Sequence, residues 1–145
     1  MVALPASLIA QTRHSLTMAH DLATDARTAR AQQRALIVLY STPGCPWCER
    51  IRREFLLPML GNAVESARMM VREIDITATT ALIDPTGQST THRDFARAGG
   101  IRMTPVTAFI AADGSAAAES IVGFPAGDVF GAYLDDRIAT ARARR

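Results

Sequence analysis

The sequence contains two cysteines, and both lie in the segment TPGCPWCE at residues 42–49. Cys45 and Cys48 enclose a Pro-Trp pair, at the point where an apolar run gives way to a charged, helix-like segment. Two thiols at this spacing in the first turn of a helix can close a disulfide ring with little reorganisation of the chain. The pattern therefore predicts a pair that interconverts between dithiol and disulfide.

The predicted helix start also indicates which thiol reacts. Unpaired backbone N–H groups and a partial positive charge at a helix N-terminus favour thiolate over thiol at Cys45. Pro46 suits the first helical turn, and Trp47 would present an apolar surface beside the sulfur. Cys48 lies one turn further on, on the apolar side of the helix. We therefore predict that Cys45 is the nucleophile and that Cys48 resolves the mixed disulfide.

Other uses of two thiols fit the sequence less well. Zinc prefers four ligands, and the three histidines, at positions 14, 20 and 92, are far apart. Two thiolates can bind Cu(I), but the methionines at 59, 69, 70 and 103 lie in apolar runs that are more typical of a core. We predict no metal site, and Cu(I) binding and an inert pair of thiols stay open as alternatives.

A proline interrupts a second apolar run, IRMTPVTAFI, at residues 101–110. Proline is normally excluded from strand interiors, so Pro105 fits the start of a strand. A cis Thr104–Pro105 bond would face the active site there and would leave the backbone of Thr104 free to pair with an extended peptide. The alternative is a trans proline that simply begins a strand.

The remaining pattern predicts the elements that position these residues. An uninterrupted apolar run at residues 35–40 indicates a buried central strand. The turn at 84–87 predicts an inserted hairpin, and the turn at 113–114 predicts a second hairpin. The expected helices are 21–34, 45–59 with a bend at Pro58, 91–98 and 128–138, and the expected strands are 35–40, 69–76, 106–111 and 119–124. This order predicts an α/β fold with a mixed central sheet flanked by helices, and a hairpin insertion before Pro105.

Composition limits the classes of function. The 145 residues are 48% hydrophobic and 21% charged, which is typical of one globular domain. The net charge is +2 and the arginines are scattered, so we expect no nucleic-acid partner. Because no apolar run reaches the length of a membrane span, we also expect no stable membrane insertion.

The two ends of the chain are assigned separately. Residues 1–20 are predicted to form an N-terminal extension, which is apolar at first but lacks a basic start. Two interpretations stay open: the remnant of an export signal, or an extra helical turn packed on the domain. The domain itself is predicted to span residues 21–140, followed by a solvated basic tail at 141–145.

The segments ALIVLYSTPGCPWCERIRREF, MTPVTAFI, DGS and IVGFPAGDVFGAYL occur in this order. Together they resemble the thioredoxin superfamily, and more specifically the SoxW-like proteins, which are bacterial and usually exported. The resemblance spans residues 21–138. It implies a thioredoxin fold, thiol–disulfide exchange by Cys45 and Cys48, a cis proline at Pro105, and a position near the peptide groove for Gly123.

Two features depart from the thioredoxin pattern. Typical thioredoxins carry a buried Asp six residues before the first active-site Cys, where this chain has Leu39. Glu73 is a possible substitute as proton acceptor, although a solvated surface position is the more usual one for a Glu. Arg50, Arg52 and Arg53 are interpreted as the exposed face of a helix.

These observations predict a monomeric protein-disulfide oxidoreductase that acts mainly as a reductant. Trp47, Thr104 and Gly123 are the expected substrate contacts, with Pro46 and Pro105 shaping the site. The resemblance implies disulfide-containing protein substrates, an upstream thiol donor and no cofactor besides the Cys45–Cys48 pair. It also implies a periplasmic location, with the cytoplasm as the alternative. A Cu(I)-binding or non-catalytic peptide-binding thioredoxin-like module is the alternative function.

Overall fold

The computed structural model describes residues 15–126 and 128–144. The strands in this part of the chain are β1 (Ala35–Ser41), β2 (Met69–Asp75), β3 (Ala81–Ile83), β4 (Ser89–Thr91), β5 (Val106–Ile110) and β6 (Ala116–Val122). The helices are α1 (Leu22–Ala31), α2 (Pro46–Ile51), α3 (Leu57–Leu60), α4 (Ala63–Ser66), α5 (His92–Ala98) and α6 (Asp128–Ala143). A π-helical turn, Arg52–Leu56, joins α2 to α3.

Four strands form a mixed central sheet in the order β2-β1-β5-β6. Strand β1 pairs in parallel with β2 and antiparallel with β5, and β6 pairs antiparallel with β5. Strands β3 and β4 form a separate hairpin, which is the predicted insertion. The predicted α/β fold with a mixed sheet is confirmed, and no helix of the described residues is long and apolar enough to cross a membrane.

Strand β1 is buried on both faces along its whole length. Ile37 and Leu39 share one buried cluster with Ile51 of α2, and Leu36 and Val38 share the other with Leu22 of α1. Successive residues of a strand point to opposite faces. The uninterrupted apolar run therefore supplies both cores at once, and helices cover the sheet on each side.

Side-chain caps begin several of these helices, among them α1 and α5. The carboxylate of Asp21 accepts from the N–H of Thr24 at the start of α1, and the hydroxyl of Thr91 accepts from the N–H of Asp94 at the start of α5. Each cap pairs a backbone N–H that lacks a partner within its helix.

The helix that follows Cys45 does not continue as a regular α-helix. Pro58 has no N–H to donate, and just before it the ladder widens into a π-turn in which the N–H of Leu57 donates to the carbonyl of Arg52. The extra residue moves the apolar stripe by one position, so that Leu56 is buried and Phe55 is half-buried. The sequence predicted a bend at Pro58 but not this shift.

Strand β6 begins at Ala116, whereas the sequence pattern placed its start at 119. The carboxylate of Asp113 accepts hydrogen bonds from the N–H and the hydroxyl of Ser115, and the N–H of Ala111 donates to the carbonyl of Ser115. These bonds close a tight turn, and pairing resumes directly after it.

The described part of the N-terminal extension, residues 15–20, is a strand-like segment and not the extra helical turn that was one of its two interpretations. In residues 15–20 the chain is extended along β2: the N–H of Ala19 donates to the carbonyl of Glu73, and the N–H of Glu73 donates to the carbonyl of Thr17. Leu16 and Ala19 are buried. An extra helical turn is therefore wrong for these residues, because they pair with the sheet edge. The export-signal interpretation concerns residues that lie outside the described part.

The predicted tail at 141–145 is also corrected. Helix α6 continues to Ala143, and Ala141 is buried. Arg142 donates from Nε to the carbonyl of Gln33, at 2.9 Å. The last turn of the helix is thus held against the loop that precedes β1.

The His92 side chain connects three segments that are separated in the sequence: α5, the end of β2 and the N-terminal segment. It is fully buried. Its Nδ1 accepts from the N–H of Asp75 at 3.3 Å, so its Nε2 carries the proton and donates to the carbonyl of Ala19 at 2.7 Å. One imidazole ring therefore ties α5 to the end of β2 and to the N-terminal segment.

We expect His92→Leu to lower the free energy of unfolding by about 2–4 kcal/mol, because two backbone groups lose their partner in a buried place. Urea denaturation measures this. The control is His20→Gln, since the His20 side chain is exposed and should change stability by no more than about 0.5 kcal/mol. Equal effects of the two substitutions would contradict the assigned role of His92.

Candidate active site

Cys45 and Cys48 form a disulfide at the start of α2. Cys45 occupies the N-cap position, Pro46 is the first helical residue, and the N–H of Cys48 donates to Sγ of Cys45 at 3.1 Å. Cys48 is fully buried, whereas Cys45 is partly exposed. The predicted difference in burial is confirmed, and it leaves one sulfur of the pair within reach of another molecule.

The Thr104–Pro105 peptide bond is cis, as predicted. The hydroxyl oxygens of Thr42 and Thr104 lie 2.9 Å apart and share a hydrogen bond, which ties the proline loop to the loop that precedes Cys45. The N–H of Gly123 donates to the carbonyl of Pro105 at 2.8 Å. Gly123 has a φ of +74°, a conformation that favours glycine. Its contribution to the site is thus made by the backbone.

A cluster of aromatic rings begins at Trp47, which stands between the two cysteines in the sequence. Trp47 is 50% exposed and stacks on Phe124, with ring centroids 5.7 Å apart. The guanidinium carbon of Arg50 lies 5.5 Å from the Trp47 ring centroid and 4.9 Å from that of Phe124. Phe55 and Phe130 complete the group beneath Phe124. The sequence analysis did not identify Phe124 as a site residue. Its position directly after Gly123, near the expected peptide groove, was the feature that could have indicated this.

A cleft of about 460 Å³, with charged residues in its wall, lies on another side of Cys45. Glu73 lines it and is 6% exposed. The carboxylate of Glu73 accepts from the hydroxyl of Ser41 at 2.8 Å and from Nε of Arg52 at 2.7 Å. Arg52 also pairs with Glu49 at 2.5 Å, at the exposed rim.

Two sequence interpretations are therefore wrong. Glu73 is not a solvated surface residue, and Arg52 is only partly exposed. The reason is the sheet register: Glu73 pairs with Leu39 across β1 and β2, and their shared face is the one that α2 covers. Packing of the helix on the sheet then buries the Glu73 carboxylate together with the Arg52 guanidinium. The sequence of either segment alone does not show this contact.

The neighbouring charged residues behave more as expected. Arg53 is exposed, and Arg50 pairs with Glu54, where its hydrogen bond holds the pKa of the Glu54 carboxyl below its usual value. Met69 and Met70 are buried in β2, but Met103 is 57% exposed in the loop before Pro105, so its predicted core position is wrong. Within the described ranges, no group of three or more His, Cys, Asp or Glu residues is placed to bind a metal ion.

The chain belongs to the family of thioredoxin-like domains, whose pattern it matches over residues 22–138. It has no significant match among curated proteins. The fold is similar to that of thioredoxin NaTrxh from Nicotiana alata, with a TM-score of 0.57 and 13% identity over 90% of this chain and 97% of that one.

Two further structures show the same fold. A thioredoxin h from poplar gives a TM-score of 0.54 and 16% identity, with 81% of this chain and 95% of that chain covered. The C-terminal domain of DsbD from Neisseria meningitidis, in its oxidised form, gives 0.51 and 16%, with 83% and 99% covered. The predicted fold class is confirmed. A thioredoxin-like fold with a Cys45–Cys48 disulfide is consistent with thiol–disulfide oxidoreductase chemistry.

Because Trp47 is the single tryptophan of the chain, its fluorescence reports on the aromatic cover. We expect Phe124→Ala to shift the emission maximum to longer wavelength, since the indole loses its stacking partner and gains contact with water. Tyr133→Ala is the control, because this exposed ring contacts Arg137 and should leave the emission unchanged. An unchanged spectrum for Phe124→Ala would contradict the stacked arrangement.

Proposed function

We propose that this protein is a thiol–disulfide oxidoreductase that acts on protein disulfides as a reductant. The observation that carries the proposal is the asymmetry of the disulfide. The Cys45 sulfur is partly exposed at a helix N-terminus, where a thiolate is stabilised, and the Cys48 sulfur is buried behind it. The Cys45 sulfur can therefore contact a substrate, while the Cys48 sulfur stays buried until it attacks the mixed disulfide.

In the reduced enzyme the thiolate of Cys45 attacks one sulfur of a substrate disulfide. A mixed disulfide forms, and the other substrate sulfur leaves as a thiolate that takes up a proton. Cys48 then loses its proton and attacks Sγ of Cys45, which releases the second substrate thiol. Two electrons pass to the substrate, and the enzyme is left with the Cys45–Cys48 disulfide. An upstream dithiol returns it to the reduced form.

The loop around Thr104 supports binding of an extended peptide. In the described part of the chain, Thr104 takes part in no backbone hydrogen bond, and its hydroxyl is already bonded to Thr42. Its N–H and carbonyl are therefore available for strand addition. Trp47 and the Gly123 turn, with Phe124, would flank such a peptide and hold its disulfide near Cys45.

Glu73 is the proposed proton acceptor of the dithiol. It is the one buried carboxylate among the residues that the structure describes, and it lines the same cleft as Cys45. Leu39 at the neighbouring register position has no group that accepts a proton. The cleft connects Cys45 with the carboxylate, and Ser41 and Arg52 hold the carboxylate in place.

The finer assignments rest on the sequence motifs. The Pro-Trp pair between the cysteines and the inserted β3–β4 hairpin support membership of the SoxW-like group, and with it a periplasmic location. We further propose a monomer, with disulfide-containing proteins as substrates. Equilibration with glutathione buffers tests the direction: a reduction potential well above that of glutaredoxins would make the protein a donor of disulfides instead.

Single substitutions of the two cysteines distinguish their roles. We expect Cys45→Ser to abolish thiol-dependent reduction of insulin, because the attacking sulfur is lost. Cys48→Ala should instead accumulate Cys45 in mixed disulfides, which gel electrophoresis without reductant and mass spectrometry detect. Mixed disulfides formed through Cys48 in Cys45→Ser would reverse the assignment.

The same assay separates the proposal from the alternative functions. A Cu(I) carrier or a non-catalytic peptide-binding module would show no thiol-dependent turnover in the unaltered protein. Stoichiometric Cu(I) without insulin reduction would therefore replace the proposed function by the first of these alternatives.

We expect Glu73→Gln to slow the thiol-dependent rate by about 100-fold near neutral pH, in the range of general acid–base effects. The loss should shrink as the pH rises, since hydroxide then removes the thiol proton. Glu119→Gln is the control, because this carboxylate is exposed on β6, far from the cleft, and pairs with Arg137 at the surface. A stability measurement accompanies both variants. A rate loss that is equal at all pH values would indicate a structural role only.

A further inference from the structure

A second cavity lies at the opposite end of the sheet from the disulfide. It has a volume of about 510 Å³ and opens between the ends of α1 and α6, beside the start of β1 and the turn before β6. Its floor consists of small side chains, at Ala26, Ala29, Ala35, Ala117 and Ala141. Strand β1 separates it from Cys45 by about 20 Å, given the rise of a strand per residue.

Four arginines line this cavity from two walls. Arg30 and Arg34 come from the end of α1 and the loop after it, and Arg142 and Arg144 come from the end of α6. Two of these guanidinium groups are anchored to backbone carbonyls: Nε of Arg142 donates to Gln33, and Nη1 of Arg144 donates to Ala116. The anchored groups retain further N–H donors, because a guanidinium carries five.

None of the four arginines forms an ion pair with a carboxylate among residues 15–126 and 128–144. Elsewhere in these ranges, ion pairs are made by Arg50, Arg52, Arg53, Arg68, Arg72, Arg93 and Arg137. Of the residues that the structure describes, Asp113 is the one carboxylate on the cavity wall. Its Oδ1 is engaged by the hydroxyl and the N–H of Ser115. The hydrogen bonds from Ser115 and the charge of Arg144 lower the pKa of Asp113.

The electrostatic balance of the cavity stays positive. Four guanidinium groups face one carboxylate, which leaves three positive charges. The C-termini of α1 and α6 also point to this end, and each carries a partial charge of about −0.5. The helix dipoles therefore remove only about one of the three charges. The arginines therefore keep a net positive charge of about two after the helix dipoles are counted, and this charge can attract an anion.

We propose that this cavity binds a small organic anion that carries at least two phosphate or carboxylate groups, one for each arginine wall. Guanidinium groups bind both kinds of oxyanion through paired N–H donors. The volume lies in the range of about 300–1,000 Å³ that small-molecule sites occupy. The alanine floor accommodates the apolar body between the charged groups. The site is independent of the disulfide chemistry and of the proposed function.

Isothermal titration of the full chain with tripolyphosphate and, in a parallel arm, with citrate tests the proposal and distinguishes the two kinds of oxyanion. We expect saturable binding with one-to-one stoichiometry for at least one of them. The double substitution Arg30→Gln and Arg142→Gln removes one guanidinium from each wall and should weaken binding by about tenfold or more, as expected for two solvent-accessible ion pairs.

The control is the double substitution Arg93→Gln and Arg97→Gln on α5, which changes the net charge by the same amount on exposed residues. It should change the affinity by less than about twofold, since α5 does not line the cavity.

On addition of the anion, backbone NMR spectra of the unaltered protein should show the largest chemical-shift changes at Ala29 and Ala117, which line the cavity. Equal weakening in both double variants, or shifts spread over the surface, would reduce the effect to general charge attraction and overturn the site. Absence of saturable binding in both arms would overturn it as well.

Discussion

Burial of β1 on both faces is the constraint on which the rest of the structure depends. Each residue of this strand from Ala35 to Tyr40 is packed in one of two cores, so the strand has neither freedom to slide nor an exposed face. The chain must leave the core at Ser41, at the end of the strand. It turns through Pro43 and Gly44 and enters α2 at Cys45. The position of the reactive sulfur is therefore set by apolar packing that lies behind it.

The surroundings of Cys45 are divided into an apolar and a polar side. The stacked rings of Trp47 and Phe124 lie on the apolar side, where contact with another chain would exclude water. The polar side holds Glu73 in a hydrogen-bonded pair with Arg52. In the proposed function, this division would let the Cys45 sulfur meet an extended substrate on one side while a proton is removed on the other.

Charge is distributed unevenly along the molecule, although its formal net charge is only +2. Arginines near the disulfide are neutralised by carboxylates or lie over aromatic rings. Arginines at the far end of the sheet gather from the C-terminal ends of two helices, where the helix dipoles favour them. The two ends of the molecule therefore differ in character: one holds the disulfide, and the other holds the arginine-lined cavity for which we propose anion binding.

Local signals in the sequence were sufficient for the framework and for the reactive pair. The CPWC spacing, the apolar run before it, the turn residues and Pro105 each act through neighbouring backbone atoms, so the sequence alone determined the disulfide, the central strand and the inserted hairpin. The family pattern then predicted the place of Gly123.

Only the tertiary structure decided which polar side chains are buried. Glu73 meets Ser41 and Arg52 across three separate elements, and His92 meets Ala19 from the far part of the chain. The sequence pattern predicts a solvated tail for the last turn of α6, because the contact of Arg142 with Gln33 joins residues that are even farther apart in the chain. Burial of a charged or polar group is stable only when a partner arrives with it. That partner is brought by the packing of whole elements, and no property of a single segment specifies it.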